Sequence, residues 1–285
     1  MTARRTTSLR RRVVDRVMIA LCTLAAVAAV AILALLLGYV LAQGARHVDL
    51  AFFTRPPAPV GERGGGFLNA LVGTAIMVGL ASAISVPVGV AAGVYLAEFG
   101  RGRLATAVRF VADTLNATPS IVAGLFAYTL VVVPMRRFSG LAGGVALAVL
   151  MVPTITRTTE EMVRLVPRSL RESALALGVP EWRMTLDVVL RAAAPGVGTG
   201  IMLAVARASG ETAALLFTAF NNRFLSRDID QPMASVSVQV YTYAVAPYDD
   251  WHRQAWAGAL VLVTLIALFS AAVRVATQSR HRPLL

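Results

Sequence analysis

Six stretches of this 285-residue chain, 17–42, 69–96, 114–134, 140–156, 196–220 and 255–273, are long, apolar and nearly uncharged. Five contain no charge at all, and 196–220 holds only Arg207 and Glu211. A helix crosses the apolar part of a bilayer with roughly 20 residues. In that medium a segment must satisfy its own backbone polar groups, which favours helices. The stretch at 140–156 is short for a crossing and the one at 69–96 is long. Charged residues make up 15% of the chain and apolar ones 57%, against about 25% charged in a soluble domain. The pattern predicts an all-α polytopic membrane protein with six transmembrane helices in one membrane domain.

The first stretch follows Arg4, Arg5, Arg10, Arg11, Arg12 and Arg16, as a secretory leader would. It is far longer than the roughly 7–15-residue apolar core of a signal peptide, so it reads as a retained span. Every one of the 27 basic residues is Arg, and they fall between the apolar stretches. That distribution is the mark of membrane topology rather than of nucleic-acid binding. With six spans both termini share a side. That side carries 18 Arg, the opposite loops carry eight, and Arg207 lies within a span. The excess predicts cytoplasmic termini. The expected organisation is a cytoplasmic basic tail at 1–16, a first transmembrane helix at 17–42 and an external loop at 43–68. A core of five transmembrane helices follows at 69–277, with a cytoplasmic loop at 157–195, and then a cytoplasmic tail at 278–285.

Several chemistries are excluded. Cys22 is the only cysteine and sits in the first span, and His47, His252 and His281 have no ligand spacing. The sequence therefore offers no disulfide and no metal site. The ionisable residues inside the spans are too few for an acid–base pair with a nucleophile, so no catalytic residue is assigned. No GxxxxGK[ST] phosphate loop is present, so the chain does not bind ATP by that route and needs no cofactor of its own.

Small residues four apart, Gly89 with Gly93, Gly140 with Gly144 and Gly196 with Gly200, suit close helix packing inside the bundle or at a subunit seam. Pro87 and Pro119 lie inside apolar stretches, where each removes a backbone donor and predicts a kink. The loop 43–68, with Pro56, Pro57, Pro59 and Gly64 to Gly66, reads as irregular. The segment 157–191 is longer than a simple helix connection requires. It carries the pattern of two short amphipathic helices: Leu170, Ala174, Leu175 and Leu177, then Trp182, Leu186, Val189 and Leu190, broken at Gly178, Val179 and Pro180. A long structured loop of this kind suggests a docking surface.

Glu172, Ser173, Ala174, three residues, Gly178, nine residues, Val188, one residue, Leu190 resembles the EAA motif of bacterial ABC importer permeases. The family pattern is Glu, Ala, Ala, three residues, Gly, nine residues, Ile, one residue, Leu, Pro. Here Ser173 replaces an Ala, Val188 the Ile and Arg191 the Pro. The resemblance implies a type I, MetI-like permease bundle in which Glu172, Ser173, Ala174 and Gly178 couple to a separate ATPase. Small side chains at 173, 174 and 176 suit close approach, and Gly178 permits the sharp turn.

Arg207, Ser209, Glu211 and Thr212 form the polar part of the fifth span. A charge at mid-span costs roughly 2.5–3.5 kcal/mol on insertion scales, so it faces a protein interior or a pathway. Two readings stand. Arg207 and Glu211, four apart on a helix, pair with each other as a structural bridge. Alternatively, the guanidinium meets an oxyanion, to which its planar fork of donors is suited, with Ser209 and Thr212 as nearby hydroxyls.

Arg207, Ala208, Ser209, Gly210, Glu211, Thr212 and Ala213 resemble the permeases of phosphate-specific importers. So do the runs from Gly65 to Thr74, Tyr95 to Glu98 and Thr118 to Gly124. The glycine-led entry to the second span is similar to their PstA type. The resemblance implies a bacterial inner (plasma) membrane location and a homologous PstC-type permease partner. It also implies two PstB-type ATP-binding subunits that hold ATP and Mg, and an external PstS-type phosphate-binding protein. Membrane lipid is the remaining partner, and nucleic acid is not one. The rival readings are a sulfate or molybdate permease, or a polytopic scaffold or sensor.

Overall fold

A computed structural model describes residues 9–60, 62 and 64–279. Arg63, residues 1–8 of the expected basic tail and residues 280–285 of the expected C-terminal tail lie outside the described residues. The helices, in order, are α1 Leu9–Gly44, α2 Leu50–Thr54, α3 Leu68–Phe99, α4 Arg103–Ala117, α5 Ser120–Met135, α6 Gly140–Arg164, α7 Arg168–Ala176, α8 Glu181–Ser209, α9 Ala213–Leu216, α10 Val236–Ala244 and α11 Asp249–Ser279. No strand occurs among the described residues, which hold one isolated bridge between Pro57 and Gly65. Five helices, α1, α3, α6, α8 and α11, are long and apolar enough to cross a membrane.

The sixth expected span is not one helix. Helices α4 and α5 meet at a bend of 109° at Thr118–Pro119, and they complete a count of six only as a broken span. Proline disfavours the α conformation of the residue before it, and Thr118 is extended here, with ψ 132°. The result is a break where the sequence predicted a kink. Pro87 instead stays inside an unbroken helix.

Other boundaries move for identifiable reasons. Helix α6 runs to Arg164, past the expected end at 156, because its charges are neutralised within the fold and do not stop it. The second expected amphipathic helix, beginning near Trp182, is the first part of the continuous helix α8. That helix then ends at Ser209, so 210–220 is not part of it. The loop 43–68 contains a helical turn at Ala45–His47 and α2, started by Asp49, whose carboxylate accepts from the Phe52 N–H at 2.7 Å. Residues 9–16, expected in the tail, are already helical.

Helix α6 is the hub. Helix α3 lies against it through Gly89 and Gly93, and a Cβ at Gly93 would stand 2.6 Å from the Thr156 carbonyl. On another side, Gly196 and Gly200 of α8 seat on Met162 and Thr158, while Gly140 and Gly144 of α6 itself receive Met233 and Leu80. All three glycine pairs are thus spent inside the bundle, where lipid-embedded helices gain from close van der Waals contact. Met77, Leu147, Met151, Ile155, Leu215 and Met233 fill the centre. Helix α1 stands largely apart. Near its end it touches α11, through Tyr39 edge-on to Trp256 at 5.1 Å and Gly44 beside Leu260.

Candidate functional site

Two regions carry the polar chemistry. The ends of α3 and α6, with α4 and α7, form a basic end. Its centre is Glu160, only 2% exposed, which accepts from Arg109 Nε, Arg157 Nη1 and Arg164 Nη2, each at 2.7 Å. Arg157 also pairs with Asp113 of α4 at 2.9 Å. Arg109 Nη2 donates to the Leu96 carbonyl at 2.8 Å, one of the last carbonyls of α3, which have no helical partner. Arg171 of α7 closes a second pair, with Nη2 2.6 Å from Glu98 Oε1 and Nε 3.3 Å from Oε2. It also donates to the Val163 carbonyl at 2.9 Å and to that of Val166, at the end of α6. Beside this pair opens a cavity of about 480 Å³ lined in part by Arg101, Arg164, Arg168 and Glu172.

Helix α7 and the turn after it carry the four residues expected to couple to an ATPase. Gly178, at φ +77°, takes the left-handed position. Its N–H bonds the Leu175 carbonyl at 2.9 Å, and the Val179 N–H bonds that of Ala174 at 3.2 Å, which is the Schellman ending that favours glycine. Glu172 and Ser173 are exposed. Ala174 is buried against its own chain, among Val163, Met184 and Val189. Its small side chain serves internal packing, a use that the sequence did not reveal.

The second region is the break after α8. The N–H groups of Gly210 and Glu211 turn back to the Arg207 and Ala208 carbonyls at 3.2 and 3.1 Å, and the chain leaves the helix. Ser237 Oγ at the start of α10 holds the break by donating to the Glu211 carbonyl at 2.6 Å. Glu211 is therefore beyond the helix end, and the expected i,i+4 pair does not form. Arg207 is exposed and Glu211 half-buried, and neither side chain has an ion pair or hydrogen bond among the described residues. Ser209 Oγ returns to the Val205 carbonyl at 2.8 Å, a local back-bond. Thr212 Oγ1 reaches only the Gly210 carbonyl, at 3.5 Å.

Beyond the break, α9 is wedged between α5 and α6, with Ala214 against Gly124 and Leu215 and Ala219 beside Gly143. The loop behind it stacks Phe220 on Phe138 at 5.1 Å and ties Gly140 and Leu141 to the carbonyls of Gln231 and Ile229. Asn69 Nδ2 donates to the Asn222 carbonyl at 2.6 Å and to Gln239 Oε1 at 3.1 Å. Sequence reasoning missed this buried network, although Asn69 opening an apolar run was a visible signal. Toward the basic end α6 is covered by α3, α8 and α4. Thr154 of α6 donates to Asn116 of α4 at 2.9 Å, and Glu161, seven residues on, is exposed. One end of the bundle is thus filled by α9.

This architecture has known counterparts. Residues 89–282 match the model of the family described as binding-protein-dependent transport system inner membrane component. The chain belongs to that family. Among its relatives, the phosphate transport system permease protein PstA of Yersinia pestis is 47% identical over 234 residues, covering 82% of this chain and 79% of that one. The PstA protein of Xylella fastidiosa strain Temecula1 is 44% identical over 267 residues, covering 93% of each chain. PstA 1 of Mycobacterium tuberculosis strain H37Rv is 39% identical over 226 residues, covering 77% of this chain and 73% of that one. The fold of this family member also matches a solved chain of the MetNI methionine ABC transporter in an inward-facing form. That match has a TM-score of 0.64 at 18% identity and covers 76% of this chain and 96% of the other. The EAA-like loop and the Arg207 segment pointed to the family that the whole-chain similarity gives.

Proposed function

We propose that this chain is the transmembrane permease subunit of an ATP-driven importer of inorganic phosphate. It forms half of the translocation pathway beside a homologous PstC-type subunit. It hydrolyses no ATP itself. Energy enters from two PstB-type subunits, which hold ATP and Mg, through α7, with Glu172, Ser173 and Ala174, and the Gly178 turn that ends it. A PstS-type protein delivers phosphate outside. The basic end is cytoplasmic, with both termini on that side, in line with the positive-inside rule.

The observation that carries the reading is Arg207, a guanidinium exposed at a helix break in an apolar span without a protein partner among the described residues. Non-helical backbone at membrane depth is tolerated where protein buries it or where it lines a water-filled cavity. An arginine there offers a bidentate site to a phosphate oxyanion. Glu211 beside it keeps the site from binding phosphate too tightly, since conduction requires release. Thr212 completes the pathway site, and the Ser209 hydroxyl turns to it by exchanging its back-bond. Relatives at 39 to 47% identity bear the phosphate transport name, which supports the choice of cargo.

The test is uptake of labelled phosphate by vesicles carrying this chain with its partner subunits and binding protein. ATP-dependent uptake that excess sulfate does not inhibit supports the reading. Uptake competed by sulfate, or no dependence on ATP, overturns it.

A further inference from the structure

We infer that Arg171 and Glu98 are a positioning pair that bolts the docking helix α7 to the spans α3 and α6, so that the three move as one body. This rests on the reading of α7 as the ATPase contact. Leu165, Val166 and Pro167 break the helix between α6 and α7, so the backbone alone leaves the direction of α7 relative to α6 loosely set. Arg171 removes that freedom. Its guanidinium grips both oxygens of Glu98 at 2.6 and 3.3 Å and caps the end of α6 through the Val163 and Val166 carbonyls. Bidentate arginine pairs fix direction as well as distance. The two side chains are 18% and 10% exposed, so solvent screens them little.

The arrangement is reciprocal. Arg171 caps α6 and pairs with a carboxylate of α3, while Arg109 caps α3 through Leu96 and pairs with Glu160 of α6 at 2.7 Å. Each span end is held by an arginine whose counter-ion sits on the other span. On its opposite side α7 meets α8 through Ala174, Met184 and Val189. That contact is apolar, with no hydrogen bond or ion pair between α7 and α8 among the described residues. The charged pair resists rotation, and the apolar contact permits sliding. A push on α7 therefore passes to α3 and α6, and the relative motion falls between that body and α8. The two breaks, at Thr118–Pro119 and at Gly210, interrupt the helical bonds that would oppose it.

The test uses the assembled transporter. Arg171→Gln and Glu98→Gln are each expected to lower phosphate transported per ATP hydrolysed several-fold while hydrolysis continues. The double variant should lose no more than either single, because both remove one link. Unchanged transport per ATP, or losses that multiply in the double variant, would overturn the inference. An independent reading avoids variants of the pair. With Cys22→Ser to clear the native thiol, spin labels at Ser169→Cys on α7 and Val88→Cys on α3 should keep their separation when ATP binds. Labels at Ser169→Cys and Leu203→Cys on α8 should change theirs. A shift between α7 and α3 sinks the proposal whatever the substrate. A wild-type assembly that moves no phosphate counts against the proposed function and leaves this distance measurement to decide the clamp.

Discussion

At the basic end Arg109, Arg157, Arg164 and Arg171 each meet a carboxylate, and Glu160 meets three of them. At the Gly210 break an arginine and a glutamate stand four residues apart and do not meet. The residue types are the same, and the difference lies in the backbone between them. Glu160 and Arg164 share an unbroken helix, so a spacing of four brings them to 2.7 Å. Arg207 and Glu211 straddle a helix end, so the same spacing turns them apart. A buried carboxylate must be compensated because taking an ion from water costs several kcal/mol. An exposed guanidinium carries no such obligation and is left to a ligand. Paired arginines hold one end of the bundle together, and the unpaired one is the residue to which the proposed function gives the cargo.

The comparison can be broken most directly at Glu160. Glu160→Ala takes away the carboxylate that three guanidiniums share, leaving Arg157 its pair with Asp113 and Arg109 its bond to Leu96, and should cost about 3 kcal/mol, read as a lower midpoint of thermal unfolding in detergent. An unchanged midpoint would mean that the basic end is not held by its charges. Arg207→Gln should do the reverse. It leaves the unfolding midpoint where it was and lowers phosphate uptake by about tenfold to a hundredfold, as expected for losing a charge-assisted bond worth about 1.5–3 kcal/mol. A large fall in stability instead would place Arg207 with the structural arginines.

Gly178→Ala tests the basic end without touching a charge. Forcing an L-residue into the left-handed position at φ +77° should cost about 1–2 kcal/mol, and coupling to ATP hydrolysis should suffer before phosphate binding does. The smallest effect is expected for Ser209→Ala. Its hydroxyl is bonded to Val205, so stability should stay within about 0.5 kcal/mol of the parent. The accompanying change in uptake should be less than that for Arg207→Gln. Uptake as poor as in that variant would make the hydroxyl, rather than the guanidinium, the decisive contact.

Much of the fold was legible because lipid imposes a length and a composition that apolar runs report directly. The glycine pairs and the Gly178 turn were legible too, since each rests on a missing Cβ. What escaped was set by partners distant in the chain. Nothing in Ala208 to Ala213 forbids a helix, because one glycine costs only about 1 kcal/mol. The helix ends there because Ser237 takes the Glu211 carbonyl and Ala214 packs on Gly124. Helix α6 was read as ending at 156 because Arg157, Glu160 and Arg164 look like a loop by hydropathy, although they neutralise one another. Helix α7 is legible from spacing alone. Its fastening to Glu98 depends on a residue 73 positions away, which no local pattern displays.

The bracket around Glu160 also bears on how the chain enters the membrane. Arg157 and Arg164 lie three residues before and four after it on the same helix, so the carboxylate meets its counter-ions as soon as that helix winds, before α4 arrives with Arg109. Insertion of α6 need not wait for tertiary contacts. The two arginines suit this end of the helix to the cytoplasmic side proposed for it.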